Sequence, residues 1–114
     1  MTTVAEIAVE RRDSSVVAHL SGEVDMTNAG YVRDELLGAV PNDVLVLVLD
    51  LGECRYLDSA AIEVVFDLSR RLGRRRQELR LVVPDGSPLG RVLTLTDVGS
   101  VAPVHASLDS ALAQ

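Results

Sequence analysis

An aspartate and a serine stand side by side at Asp58 and Ser59, immediately before a stretch with helical spacing. At a helix start, an oxygen of either residue can accept a hydrogen bond from a first-turn N–H, and losing such a cap costs about 1 kcal/mol. The Ser59 hydroxyl can also accept a phosphoryl group, which would add about two negative charges beside Asp58 at the positive end of the helix dipole. The pair therefore predicts a helix cap, a phosphorylation switch, or both.

Acidic residues near this point form a second candidate site. Carboxylate oxygens are suitable ligands for Mg²⁺ or Ca²⁺, so an enzyme or small-ligand binder that acts at this loop with a divalent cation is one hypothesis. The helix dipole explains acidic residues near a helix start more simply. The sequence has no glycine-rich phosphate loop, no Gly-x-Ser-x-Gly and no His or Cys pair at metal-ligand spacing, so we favour a protein without catalytic residues, cofactor or metal. The four carboxylates considered are Asp25, Asp50, Glu53 and Asp58.

The other reactive residues stand alone in the sequence. His19 falls within a predicted strand and His105 near the end of the chain, and we interpret both as structural or surface residues. Cys54 is the single cysteine, so it cannot form an internal disulfide, which suits a reducing cytoplasm. The arginines within 70–76 could bind phosphate, but they follow a predicted helix, where cations stabilise the negative pole. We prefer this helix-end interpretation.

The composition predicts one globular domain spanning residues 1–114. The net charge of −6 argues against binding to nucleic acid or to an anionic membrane, because phosphate-binding surfaces need a basic excess. No apolar run approaches the ~18 residues of a membrane span, and the amino terminus lacks the basic and long apolar parts of a signal peptide. We therefore expect a cytoplasmic protein whose partners are proteins.

Strand and helix patterns alternate after an initial hairpin, which predicts an α/β fold with a mixed sheet. The stretch 50–58 follows the most apolar run of the chain, so we expect it to be a loop at the carboxyl end of a buried strand, where ligands and partners usually bind. A second loop is expected at 21–28. Strands are predicted at 4–11, 16–20, 44–49, 79–83 and 100–104, and helices at 29–40, 59–73, 88–99 and 107–113.

Several short segments, in their order and spacing, resemble the STAS domains of bacterial anti-sigma factor antagonists over nearly the whole chain. The resemblance implies the STAS fold, an α/β mixed sheet of about four to five strands with an N-terminal antiparallel hairpin and about four helices. The segments are Leu20-Ser21-Gly22-Glu23-Val24-Asp25, Val46-Leu47-Val48-Leu49-Asp50-Leu51, Tyr56-Leu57-Asp58-Ser59, Leu81-Val82-Val83 and Leu95-Thr96-Asp97-Val98-Gly99.

The resemblance also implies a function. Such antagonists, when unphosphorylated, bind an anti-sigma factor that is a serine kinase with a histidine-kinase-like ATPase fold, and so release a sigma factor. The kinase ends the interaction by phosphorylating one serine, which Ser59 matches, and a serine phosphatase would be a further partner. Asp25 matches an acidic position near that serine. The predicted partner-binding residues are Asp25, Met26, Asp58, Ala60, Ala61 and Glu63.

The sequence departs from the family pattern just after the serine. Family members commonly read Asp-Ser-Ser-Gly-Leu-Gly, whereas this chain has Asp58-Ser59-Ala60-Ala61-Ile62-Glu63. Alanine in place of glycine stabilises a helix by up to about 1 kcal/mol, and Glu63 adds a charge one turn along the helix. The departure motivates an alternative: a non-phosphorylated scaffold subunit of a stress-signalling or lipid-transport assembly, in which Ser59 only caps the helix.

Overall fold

The structure, a computed structural model, describes residues 4–113. Within them, strands and helices follow one another in the predicted order, β-β-α-β-α-β-α-β-α. A short 3-10 turn, Val98–Ser100, lies between the third helix and the fifth strand. The elements are β1 Ala5–Arg12, β2 Ser15–Val24, α1 Ala29–Gly38, β3 Val46–Leu57, α2 Ser59–Arg74, β4 Glu78–Val82, α3 Gly90–Leu95, β5 Val104–His105 and α4 Leu108–Leu112.

The strands form one sheet in the order β1-β2-β3-β4-β5. β1 and β2 are an antiparallel hairpin, whereas β2, β3, β4 and β5 are mutually parallel neighbours. The hairpin turns at Asp13, whose φ of 54° lies in the left-handed region that aspartate tolerates. The predicted fold class, an α/β mixed sheet with an N-terminal antiparallel hairpin, is confirmed.

The main core lies between one face of the sheet and helices α1, α2 and α3. Alternate residues of β2, such as Ala18 and Leu20, point into it, because successive side chains of a strand face opposite sides. The predicted apolar stripe of α2 is entirely buried, and fully burying one leucine such as Leu68 contributes about 1.5–3 kcal/mol. The stripe residues are Ala61, Val65, Leu68 and Leu72.

The opposite face of the sheet carries a smaller core beneath α4. Val17, Val48 and Ala111 belong to this buried cluster, with Leu108 and Leu112 packed against it. α4 begins at the predicted place, where the hydroxyl of Ser107 accepts a hydrogen bond from Ser110 N at 3.1 Å. Since α4 has only five residues, much of this face stays open, and it carries the polar side chains described below.

Both predicted loops are shorter than the sequence indicated. β2 continues to Val24 and β3 to Leu57, because the two strands keep pairing through two register shifts. Past Leu51, the buried residues of β3 come three apart, at Cys54 and Leu57, so the strand lacks the alternation by which strands are recognised in a sequence. These residues are strand rather than loop because of pairing between strands, which the local composition does not indicate.

The end of α2 also differs from the prediction. The helix runs through Gly73 to Arg74, and the left-handed residue that ends it is Arg76, with φ of 59°. Gln77 N donates to Leu72 O at 2.8 Å, and Arg76 N donates to Gly73 O at 3.0 Å. These two bonds form a Schellman motif, which glycine usually completes. Here an arginine occupies the strained position.

The third helix is shorter than the predicted span 88–99. Ser87 does act as a local cap, because its hydroxyl accepts a hydrogen bond from Leu89 N at 3.1 Å. The helix itself begins at Gly90 and ends at Leu95, and Asp97, with φ of 59°, turns the chain into the 3-10 segment. The last strand is likewise reduced to Val104–His105.

Candidate functional site

Asp58 connects three segments at the junction of β3 and α2. One carboxylate oxygen, Oδ1, accepts a hydrogen bond from Ala61 N at 2.9 Å and so caps α2. The other, Oδ2, accepts from Met26 N at 2.9 Å, in the loop between β2 and α1. The backbone N–H of Asp58 donates to Val24 O at 3.2 Å. One side chain therefore holds the start of α2 and the preceding loop together.

The loop from Asp25 to Asn28 is closed by its own side chains. Asp25 Oδ1 accepts hydrogen bonds from Thr27 N at 2.8 Å and from the Thr27 hydroxyl at 2.5 Å. Asn28 Oδ1 accepts from Asp25 N at 3.0 Å, and its amide nitrogen donates to Glu23 O at 3.0 Å. Aspartate and asparagine commonly stabilise turns in this way. The loop thus has a defined shape and presents Met26, whose exposed fraction is 79%, to solvent.

Ser59 is the first residue of α2 and is exposed. Its hydroxyl makes no hydrogen bond to any part of the chain that the structure describes, and the cap is Asp58. The expectation that Ser59 caps α2 is therefore wrong, and Ser59→Ala should not cost stability through a lost cap. The scaffold alternative keeps only its other part, a Ser59 that is not phosphorylated. The hydroxyl is exposed at a helix N-terminus, where a negative group is electrostatically tolerated.

The remaining predicted site residues divide between surface and core. Ala60 is half-buried and Glu63 is exposed, and both line a shallow groove between α1 and α2 that also includes Gly30 and Arg33. Ala61 is only 2% exposed and packs in the main core. Its contribution to the site is the backbone N–H that Asp58 binds, since its side chain cannot reach a partner.

The four carboxylates considered for a cation do not form a site. Residues 4–113 contain no group of three or more His, Cys, Asp or Glu side chains placed to hold a metal ion. Asp50 Oδ1 instead accepts a hydrogen bond from Gly52 N at 2.9 Å, and both carboxylate oxygens of Asp58 accept hydrogen bonds from backbone N–H groups. Local hydrogen bonding accounts for these two carboxylates.

The sequence did not reveal that His19 lies between two carboxylates. Its Nδ1 is 2.8 Å from Asp50 Oδ2, and its Nε2 is 3.4 Å from Glu10 Oε1, on the open face of the sheet. The His19 side chain is 41% exposed. The alternation of side chains along β2 could have placed His19 on the same face of the sheet as Val17. Its pairing with Asp50 of β3, however, cannot be read from the sequence.

Cys54 is buried in the main core. Burial raises the pKa of its thiol, although the nearby Tyr56 carbonyl, 3.7 Å from the sulfur, works in the opposite direction. A thiol with a raised pKa stays neutral and is a poor nucleophile near neutral pH. In this structure Cys54 is therefore an inert core residue.

The arginines around the end of α2 mostly serve local contacts. Arg70 and Arg71 form ion pairs with Asp67 at 2.6 and 3.0 Å. Partial burial acts to raise the Asp67 pKa, but hydrogen bonding and charge from both arginines outweigh it and lower that pKa. Arg75 donates to Val40 O at 2.7 Å. These contacts favour the structural interpretation of the cluster over a phosphate site.

Comparison with known proteins gives consistent matches along most of the chain. The family model described as STAS domain matches residues 6–111. RsfA of Mycobacterium tuberculosis, named an anti-sigma-F factor antagonist, is 27% identical over 114 residues, which cover 98% of this chain and 88% of RsfA. BtrV of Bordetella bronchiseptica is 30% identical over 109 residues, covering 95% and 92%.

Solved structures agree with these matches. An anti-sigma factor antagonist from Mycobacterium paratuberculosis has a TM-score of 0.83 at 26% identity, covering 96% of this chain and 92% of that one. Unphosphorylated SpoIIAA has a TM-score of 0.73 at 19% identity, covering 94% and 93%, and shows the fold alone. Among the described helices of this chain, none is long and apolar enough to cross a bilayer.

Proposed function

Because the chain belongs to the STAS domain family, we propose that it is an anti-sigma factor antagonist, a non-enzymatic regulator that binds an anti-sigma factor and thereby releases a sigma factor. The names of RsfA and of the Mycobacterium paratuberculosis protein support this role. The match extends over nearly the whole of both relatives, so it is not confined to a shared fragment.

We further propose that the partner is a serine kinase of the histidine-kinase-like ATPase fold and that its phosphorylation of Ser59 ends the interaction, with a serine phosphatase to reverse it. The observation that carries this proposal is the Ser59 hydroxyl at the start of α2, which is exposed and makes no hydrogen bond within residues 4–113. SpoIIAA, which has the same fold, has been solved in unphosphorylated and phosphorylated forms.

Electrostatics explains how one phosphoryl group could act on the partner without unfolding this protein. The group would add about two negative charges beside Asp58 and within one helical turn of Glu63. The exposed N-terminus of α2 tolerates that charge, and the Asp58 cap does not involve the Ser59 hydroxyl. A docking surface containing Asp25, Asp58 and Glu63 would become strongly acidic. A partner that binds there would be repelled while the fold stays intact.

Binding and phosphorylation can be tested with a purified candidate anti-sigma factor kinase. We expect Ser59→Asp to bind at least about tenfold more weakly than wild type, a difference of about 1.4 kcal/mol, and Ser59→Ala to bind normally but to resist modification. Mass spectrometry after incubation with ATP locates the phosphoryl group. Ser107→Asp is the matched control, because Ser107 caps α4 and aspartate preserves a cap while adding the same charge elsewhere.

The alternative role, a scaffold subunit that is never phosphorylated, is favoured by the regular first turn of α2. Ala61 packs in the core, and Glu63 occupies a position where the family commonly has glycine. A scaffold predicts equal kinase binding by wild type and Ser59→Asp, no modification of Ser59, and a stable large complex in a pull-down. That combination would contradict the switch.

A further inference from the structure

Within residues 4–113, β1 is an edge strand with no strand on its outer side. Glu23 N donates to Val4 O at 3.1 Å, so residues 4 and 23 form a hydrogen-bonded pair of the antiparallel ladder. Such pairs alternate, and the β1–β2 register is unbroken from Ala5 to Arg12. The even-numbered residues of β1 therefore bond to β2. The odd-numbered residues, Ala5, Ile7, Val9 and Arg11, direct their N–H and C=O groups away from the sheet.

This edge has charged side chains but none of the other features that usually prevent strand pairing. Natural edge strands are commonly charged, short, interrupted by proline or a bulge, or covered. β1 has eight residues, contains no proline or glycine, and shows no register shift against β2. Val9, at the middle of the strand, is 48% exposed although it is apolar. We propose that β1 pairs antiparallel with β1 of a second copy of this chain, related by a two-fold axis at Val9.

In that arrangement, charged side chains of β1 in one copy face opposite charges of β1 in the other. A two-fold axis at Val9 places Glu6 opposite Arg12 of the partner subunit, and it does so twice. These even-numbered positions would be non-hydrogen-bonded pairs, in which the Cα atoms approach to about 4.5 Å and side chains meet most closely. Within residues 4–113 the Glu6 side chain makes no ion pair or hydrogen bond, and the Arg12 side chain pairs only with Glu10, at 3.0 Å. Each copy thus supplies a partner for the other's unpaired glutamate.

Neighbouring registers are disfavoured by like charges. An axis at Ala8 would place Glu6 opposite Glu10 of the partner subunit twice, and an axis at Glu10 would place the two Glu10 side chains opposite each other. Like charges directly opposite one another destabilise a sheet, and opposite charges or β-branched pairs stabilise it. The Val9 register avoids directly opposed like charges and adds a Val9–Val9 contact on the helix side.

The paired copies would form one continuous sheet, with β1 of each copy at its centre and β5 of each at its ends. Two eight-residue strands bury less than the ~1,200 Å² of a standard interface, so the dimer should be weak and its population should depend on concentration. Ser59 follows β3, two strands away from the new contact. Dimer formation therefore does not rest on the proposed function and can be tested without a kinase.

Sedimentation equilibrium of single and mixed charge variants tests the proposal. We expect wild type to show a monomer–dimer equilibrium, and Glu6→Arg and Arg12→Glu each to remain monomeric at the same concentrations, because each creates two like-charge pairs. An equimolar mixture of the two variants should dimerise again, since it restores opposite charges at both places. Wild type that stays monomeric up to its solubility limit, or single variants that dimerise like wild type, would overturn the proposal.

A proline at the axis provides the second test. Val9→Pro removes an outward N–H that β2 does not use, so thermal unfolding of the monomer should change little while the dimer is lost. Val9→Cys should form an intermolecular disulfide on mild oxidation, because hydrogen-bonded antiparallel pairs hold Cα atoms about 5.5 Å apart. Ile7→Cys should not cross-link to itself, since it faces Arg11 of the partner subunit. Failure of the Val9 cysteine to cross-link, or a dimer that withstands the proline, would disprove pairing at this edge.

Discussion

At the scale of single residues, Asp58 accounts for the geometry around Ser59. Its two carboxylate oxygens bind backbone N–H groups of Ala61 and Met26, which are on different sides of the site. Because Asp58 makes these bonds, the Ser59 hydroxyl makes no hydrogen bond within residues 4–113. A residue that is exposed and unbonded at a helix start can be modified with little cost to the fold.

Substituting Asp58 should separate its two roles. Asparagine keeps one oxygen to cap Ala61 N but offers an NH₂ group where Met26 N needs an acceptor. We expect Asp58→Ala to lower the free energy of unfolding by about 1–2 kcal/mol and Asp58→Asn to lower it less. Amide hydrogen exchange should accelerate at Met26 in both variants and at Ala61 only in the alanine variant. An unchanged exchange rate at Met26 in Asp58→Asn would refute the bridging role.

At the scale of elements, the turn that ends α2 contains an arginine, Arg76, whose own backbone conformation is strained. The Schellman bonds to Leu72 and Gly73 require a left-handed residue at Arg76. Glycine adopts that region without a Cβ penalty, whereas L-residues are strained there. Since the exposed Arg76 side chain makes no hydrogen bond or ion pair within residues 4–113, replacing it should remove strain without removing a polar interaction.

Arg76→Gly should therefore stabilise the protein. We expect a gain of about 0.5–1 kcal/mol in the free energy of unfolding, measured by urea denaturation. The matched control is Arg74→Gly, two residues earlier inside the helix, which should cost up to about 1 kcal/mol because glycine disfavours helical backbone. Equal effects of the two substitutions would show that the conformation of Arg76 is not strained.

At the scale of the whole molecule, acid stability depends on carboxylates that are held ionised. The pKa of Asp67 is lowered by Arg71 and Arg70 against the effect of burial, and the pKa of Asp43 is lowered by hydrogen bonding to Arg11 and by its charge. A folded-state pKa below the unfolded one contributes stability above the unfolded value. That contribution is present above the ordinary aspartate pKa of 3.8 and is lost as the pH falls through the lowered value.

Asp67→Asn should accordingly make the free energy of unfolding less dependent on pH in the acid range. The Asp67 side chain is 18% exposed, and loss of its two arginine pairs should cost about 0.5–1 kcal/mol at neutral pH. The difference from wild type should shrink as the pH drops below 3.8. Asp85→Asn removes the same charge from an exposed turn and should leave the curve unchanged. Parallel curves for Asp67→Asn and wild type would contradict the assignment.

The sequence by itself determined the order of the elements and the position of Ser59 at a helix start. Those features are encoded locally: the period of two in β1, the run of branched apolar residues in β3, and the stripe of α2 can each be read within a dozen residues. Family motifs at Leu20 to Asp25 and at Tyr56 to Ser59 added the STAS fold, which the comparisons confirm.

Only the tertiary structure decided which residues meet. The hydrogen bond from Met26 to Asp58 spans 32 positions and that between His19 and Asp50 spans 31, and no local pattern reports either contact. Continued pairing of β2 with β3, across two register shifts, made strand of residues that were expected to be loops, because it satisfied their backbone N–H and C=O groups. The same three-dimensional packing makes Asp58 the helix cap, buries Ala61 and leaves Ser59 exposed.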